Sequence, residues 1–267
     1  MASNLVLGLT ALLALVPASL LPLRRGSGGR DLLFWALLGA AVAGPLAFSL
    51  VQMSGTWKTG LSMALWVSIA ASLALFAVIA ALTREGWRLS VLLLPYLLLL
   101  AVLALIWSQA PAQLPLDLRF ESWLAVHIAV SVATYALCTL AAVAAAAVLL
   151  QEGALKRKQP TGFTRLLPSI ADAEWLEVRL LAAAEIVLGA GVLTGMALYY
   201  LIEGRLLALD HKAVLSLLAF VVIGALLALH ARTGLRGRRA ARLVLVAYLL
   251  ITLAYPGVKL VTDVLVG

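Results

Sequence analysis

The chain has 267 residues, 64% of them hydrophobic and only 12% charged, with a mean hydropathy of +1.09. That is more apolar surface than a soluble core of this length would hide, so the composition excludes a soluble globular domain and predicts an integral membrane protein. The formal net charge of +8 invites a nucleic-acid reading. The basic residues instead follow the loops, and they lack the aromatic interleaving of a nucleic-acid module.

The apolar residues come in blocks near the ~20 residues that a helix needs to cross ~30 Å of hydrocarbon, without the alternation of a barrel strand. The predicted class is therefore all-α. Eight spans are expected, at 4–23, 32–52, 60–82, 89–107, 123–151, 176–202, 212–230 and 241–260. The longest connections, 108–122 and 152–175, are too short for a soluble domain, so residues 1–267 are read as a single membrane domain.

Span 1 differs from a secretory signal because Arg24, Arg25 and Arg30 follow its apolar run instead of preceding it. It is expected to be retained, with the N-terminus outside. Spans 2 to 4 carry no ionisable groups that suggest chemistry. Arg84 and Arg88 mark the turn between spans 3 and 4.

Span 5 opens with Trp123 and carries His127 four residues later, about 6 Å deeper at 1.5 Å per residue. His127, Ser131, Thr134 and Cys138 recur at intervals of four, three and four, so they share one helix face that should point into the bundle. Such a stripe serves either a ligand or interhelical hydrogen bonding. Cys138 is the single cysteine, so neither a disulfide framework nor a cysteine metal cluster is possible. The connection to span 6 carries Lys156, Arg157, Lys158 and Arg165.

Span 6 contains Glu185, the one acidic residue well inside a span. A carboxylate there is costly and must be protonated, paired or beside water. Arg179 is a conceivable partner, though not at ideal helical spacing. Gly191 and Gly195 form a Gly-x-x-x-Gly pair, with Gly189 before them, and predict close helix approach. No strand precedes these glycines, so they are not a nucleotide-binding turn.

Span 7 starts at Leu209-Asp210-His211-Lys212 and ends at His230. Asp210 is either a partner that fixes the His211 tautomer or an ordinary helix cap. His230 lies ~28 Å along the helix from His211, so the two cannot share a site. The run Gly234–Arg242, GLRGRRAAR, is the densest basic stretch and reads as an orientation signal with lipid-phosphate contact.

Most of the 20 Lys and Arg residues fall in the loops after spans 1, 3, 5 and 7. The other side receives Lys58, Arg119, Arg205, Lys212 and Lys259. By the positive-inside rule the rich loops are cytoplasmic and both termini lie on the outer, periplasmic side. Trp57, Trp107 and Trp123 then fall at the outer interface, and Trp87 and Trp175 at the inner one. No HExxH, Walker loop, CxxC or Ser/His/Asp set is present.

Three stretches resemble the membrane cytochrome c assembly family, closest to its YpjD-like and HemX-like branch and related to the haem-handling CcsA-type proteins. Trp123-Leu-Ala-Val-His127-Ile-Ala-Val-Ser131-Val-Ala-Thr-Tyr135 is similar to the family's helix with an outward-facing histidine. Leu209-Asp210-His211-Lys212-Ala213, with the helix ending Leu229-His230-Ala-Arg232, resembles the segment that begins with a tryptophan-rich Trp-Asp motif and ends in a transmembrane histidine. Gly234-Leu-Arg-Gly237-Arg-Arg-Ala-Ala, followed by Ala254-Tyr255-Pro-Gly257-Val, matches the C-terminal pattern. The likeness covers about 120–260.

The resemblance implies a multi-pass protein of a bacterial inner membrane that binds or handles haem in support of cytochrome c assembly. His127 would stand for the first external haem ligand and His230 for the membrane-embedded one. His211 would be a possible replacement for the second external ligand, with Asp210 behind it. The tryptophan-rich signature and a C-terminal external histidine are missing, so a complete haem-to-cytochrome synthase is not expected. The implied partners are the lipid bilayer, haem and a second membrane protein. Two other readings stand beside this one. The first is a non-catalytic or regulatory membrane partner that uses the fold without haem. The second is an ion or proton translocator relaying through Glu185, His127 and His230.

Overall fold

A computed structural model describes residues 2–25, 29–53, 60–109, 121–205, 210–257 and 260. Among them helix is the only regular structure: α1 (Ala2–Arg25), α2 (Leu32–Met53), α3 (Leu61–Leu82), α4 (Ser90–Ile106), α5 (Glu121–Lys156), the short α6 (Gly162–Leu166), α7 (Ile170–Glu203), α8 (His211–Thr233) and α9 (Gly237–Thr252). Eight spans, with α4 extended back to Gly86 and α9 on to Gly257 by the helical turns that flank them, are long and apolar enough to cross a membrane, as expected from hydropathy.

The helix boundaries depart from the hydropathy windows where polar residues extend a helix beyond its apolar run. α7 begins at Ile170, not near 176, because the Ser169 hydroxyl accepts the Asp172 N–H at 3.2 Å and caps the first turn. The connection before it contains α6, started by a reciprocal capping box between Thr161 and Thr164. Gln151 ties this loop down by donating to the carbonyls of Thr164 and Pro168. α9 gives way at Leu253–Gly257 to a π turn that contains Pro256.

The helices alternate in direction. Arg30 donates to the carbonyls of Ala80 and Thr83, Arg88 to that of Leu167, and the Gly237 N–H to Glu174. These contacts collect the basic turns at one end of the bundle. Arg30 therefore also satisfies free carbonyls at the end of α3.

α5 is the axis of the molecule. It packs most extensively on α7, then on α9 and α3, while α1 pairs with α2 and α4. Its middle is alanine-rich, and Ala141, Ala144, Ala145 and Ala147 are fully buried, which lets neighbouring backbones approach closely. One apolar cluster runs from Ala11 in α1 to Ile251 in α9. Within it the Tyr248 hydroxyl shares a hydrogen bond with Tyr96 at 2.5 Å, donates to Tyr135 at 3.2 Å and accepts from Thr139 at 3.3 Å, joining α4, α5 and α9. Buried hydroxyls need such partners because unpaired ones are costly.

Trp123 and Trp175 are about half exposed, and the Arg179 guanidinium lies 4.2 Å from the Trp175 ring centroid. Arg179 is thus engaged by Trp175 in a cation–π contact and not by Glu185. Trp57 lies outside the described residues, as do Lys58, Arg119, Leu209, Lys259 and the tail after Leu260.

Candidate functional site

At the end of the bundle opposite the basic turns, α5, α7, α8 and the π turn after α9 enclose a cavity of about 370 Å³. That is within the range of small-molecule sites. His127, Ser131 and Thr134 line it from α5, so the stripe read from spacing does face inward, while Cys138, one turn deeper, is buried in packing. Ser131 and Thr134 donate back to the carbonyls of His127 and Val130. Their protons are therefore spent within α5.

His127 is positioned by α7. Its Nδ1 lies 3.1 Å from the Thr194 Oγ1, and that hydroxyl donates to the Ala190 carbonyl at 2.9 Å, with Gly191 O at 3.1 Å. With the hydroxyl proton on the α7 backbone, the imidazole meets only a lone pair and Nδ1–H is the donor, which leaves Nε2 without a hydrogen-bond partner among the described residues on a ring that lines the cavity.

The glycines of α7 explain how the ring fits. A Cβ at Gly195 would stand 3.0 Å from the His127 Cε1, whereas one at Gly191 would meet Val130 at an ordinary 3.4 Å, and one at Gly189 would press on Phe220 of α8. The Gly-x-x-x-Gly pair read as close helix approach therefore has two functions. Gly195 seats the imidazole, and Gly191 seats an aliphatic side chain.

Residues from α8 close the wall with Asp210, Lys212, Ala213 and Ser216, but His211 is not among them. His211 is exposed and shares its helix face, three and seven residues on, with Val214 and Leu218, which are 48% and 46% exposed. Asp210 is the N-cap: its Oδ1 accepts the Ala213 N–H at 2.8 Å. The structure thus brings Asp210 and His127 to one cavity and leaves His211 outside it.

The family model described as "Cytochrome C assembly protein" matches residues 29–266. The chain belongs to the cytochrome c assembly protein family. It is also 56% identical, over the whole length of both chains, to an Azospirillum brasilense protein described as an uncharacterized 28.8 kDa protein in the nifR3-like 5′ region. No solved structure matches it. Membership places the chain in cytochrome c biogenesis as a multi-pass membrane protein.

Within this cytochrome c assembly protein the other singled-out residues lie away from the cavity. The His230 Nδ1 donates to the Leu235 carbonyl at 2.9 Å, and its own carbonyl accepts the Gly234 N–H, so it locks the end of α8 at the basic end of the bundle. Glu185 sits between α7 and α8, where a Cβ at Gly224 would stand 2.9 Å from its Oε1. Its Oε2 is buried without a hydrogen bond among the described residues.

A carboxylate cluster at the basic end escaped the sequence reading. Glu174 of α7 accepts the Gly237 N–H at 2.7 Å and Glu152 of α5 accepts the Arg238 N–H at 3.2 Å. Two acids from different helices therefore cap the first turn of α9 and complement its dipole. Gly237 has φ +65°, the conformation that favours glycine, and a Cβ there would lie 2.5 Å from the Glu152 Oε1, so a larger residue would also push the capping carboxylate aside. Glu177, one turn beyond Glu174, is only 3% exposed. The acidic spacing was visible in the chain, but its long-range target in the basic run was not.

Proposed function

We propose that this family member binds or handles haem at the outer leaflet of a bacterial inner membrane in support of cytochrome c assembly, with His127 as the protein ligand to iron. The observation that carries the reading is the state of the His127 ring: one nitrogen held by Thr194, the other free, the ring seated on Gly195 in a largely apolar wall. A neutral imidazole whose second nitrogen is fixed by a hydrogen bond is the form that ligates metals and haem iron.

The lining fits a porphyrin in kind. Tyr135, Tyr199 and Tyr255 supply aromatic surface, and Leu188, Val192 and Leu217 supply aliphatic surface. Bound haem would contribute the iron's ligation and redox chemistry. The chain's part is to orient the ring through Thr194, to exclude water with the apolar wall and to hold the His127 tautomer. His211, outside the cavity, is not part of this ligand set. The outer-leaflet assignment rests on the positive-inside distribution of Lys and Arg.

The test is the absorption spectrum of protein reconstituted with haem. His127→Ala should abolish or shift the Soret band, while His211→Ala and His230→Ala leave it in place. A haem-replete wild type whose spectrum His127→Ala does not change would overturn the reading.

One observation favours a second reading, a membrane partner or regulatory subunit that uses the fold without haem: among the described residues no tryptophan lines the cavity. Haem-free protein with a stably co-purifying membrane partner is the result that reading expects.

A further inference from the structure

Two opposite charges stand among the residues lining the cavity, Asp210 and Lys212, and they are not equivalent. The Asp210 carboxylate is committed to the backbone, capping α8 through the Ala213 N–H. Lys212 has no such commitment. It occupies the first turn of α8, the end of a helix where a cation is disfavoured, so it gains nothing from the helix that carries it. Among the described residues no carboxylate lies within ion-pair distance of its ammonium, the pair seen there being Arg88 with Glu85.

Lys212 is the one Lys or Arg among the lining residues. Ser131 and Thr134 have donated their protons within α5, and Ser216 and the tyrosines offer neutral hydroxyls in an otherwise largely apolar wall. A largely apolar slot with an imidazole in its wall and an exposed ammonium at its lining is complementary to a ligand with an apolar body and an anionic end. A flexible ammonium also suits a carboxylate on a movable arm, because it binds as a point charge without demanding a fixed planar geometry.

Resting on the haem reading of the cavity, we propose that Lys212 recognises the carboxylate arms of the porphyrin, so that the cavity selects macrocycles bearing free propionates. His127 and Lys212 then divide the task. The imidazole takes the metal, and the ammonium sets which way round the macrocycle enters.

The two roles separate experimentally with iron-free porphyrin, which gives His127 no metal to bind. Full-length protein in lipid nanodiscs is titrated with protoporphyrin IX and with its dimethyl ester, following porphyrin fluorescence. Wild type should bind the free acid about tenfold more tightly than the ester, the size of one charge-assisted contact. Lys212→Met should remove that preference, Lys212→Arg should restore most of it, and raising the salt concentration should narrow it.

Equal binding of acid and ester by wild type, or an unchanged preference in Lys212→Met, overturns the proposal. If haem still gives a His127-dependent Soret band in that case, only the carboxylate subsite fails. If neither porphyrin nor haem binds, both readings fall together. Displacement of protoporphyrin by oleate at comparable concentration would assign the ammonium to a lipid carboxylate and overturn the porphyrin selectivity.

Discussion

Replacing Gly195 with alanine isolates the seat of the His127 ring. Gly191, one turn earlier on the same helix, is the control. Both changes should raise helix propensity by about 0.5–1 kcal/mol, since glycine is unfavourable inside a helix. They differ in what the new methyl meets: the His127 Cε1 at 3.0 Å for Gly195, and Val130 at 3.4 Å for Gly191. The first contact is too close, so the ring must shift by a few tenths of an ångström. A shift of that kind weakens the 3.1 Å bond to Thr194, worth about 0.5–1.5 kcal/mol. Gain and loss nearly cancel in stability, and the misdirected ring loses affinity instead. With about 1 kcal/mol lost, haem affinity of Gly195→Ala should fall about fivefold, with little change in melting temperature. Gly191→Ala should bind as wild type and melt slightly higher. Haem titration followed at the Soret band, together with scanning fluorimetry, measures both quantities. Unchanged affinity in Gly195→Ala, or an equal loss in Gly191→Ala, would refute the argument that Gly195 is there for the imidazole.

At the other end of the bundle, Gly237→Ala should destabilise by about 3 kcal/mol, combining the left-handed backbone cost with the displaced Glu152 carboxylate. Gly234→Ala, at φ +68° but facing open space, should lose only about 1–2 kcal/mol, and equal melting of the two variants would remove the role given to Glu152. Glu185→Gln should preserve expression and melting, because the amide keeps the shape against Gly224; ion or proton transport that disappears in this variant alone would instead revive the relay reading. An introduced cysteine at Gln159 should be protected from an impermeant reagent added outside, whereas cysteines at Asp117 and Thr262, both outside the described residues, should react. The native Cys138 is 2% exposed and should stay silent. Labelling at Gln159 alone would invert the topology and with it the outer cavity.

The spans were legible in the sequence because transfer of some twenty apolar residues into hydrocarbon dominates every local preference. The first turns of α7 and α9 were not. Ser169 with Asp172, and Gly237 and Arg238 with the distant carboxylates of Glu174 and Glu152, are helix starts made by hydrogen bonds, to which a hydropathy window is blind. The inward face of α5 was readable because four residues at helical spacing agree on one direction. Residue spacing on α8 gave no such guide, since a step of one residue turns a side chain by about 100°. That turn separates Lys212, on the cavity, from His211, on the face of Val214 and Leu218. The Gly-x-x-x-Gly pair announced a close approach but not its occupant, and only the packing of α5 on α7 shows an imidazole there.

The carboxylates of Glu152 and Glu174 hold the start of α9, and α9 runs from that anchor to the π turn whose Ala254 and Tyr255 complete the cavity wall. α9 is therefore received by two helices that precede it in the chain, and the cavity wall is complete only when that docking succeeds. A nascent chain ending before residue 237 has His127 and Thr194 but lacks this part of the wall. The shape of the cavity wall is thereby coupled to an anchor at the opposite end of the bundle, so loosening Glu152 or Glu174 would be felt at Ala254 and Tyr255.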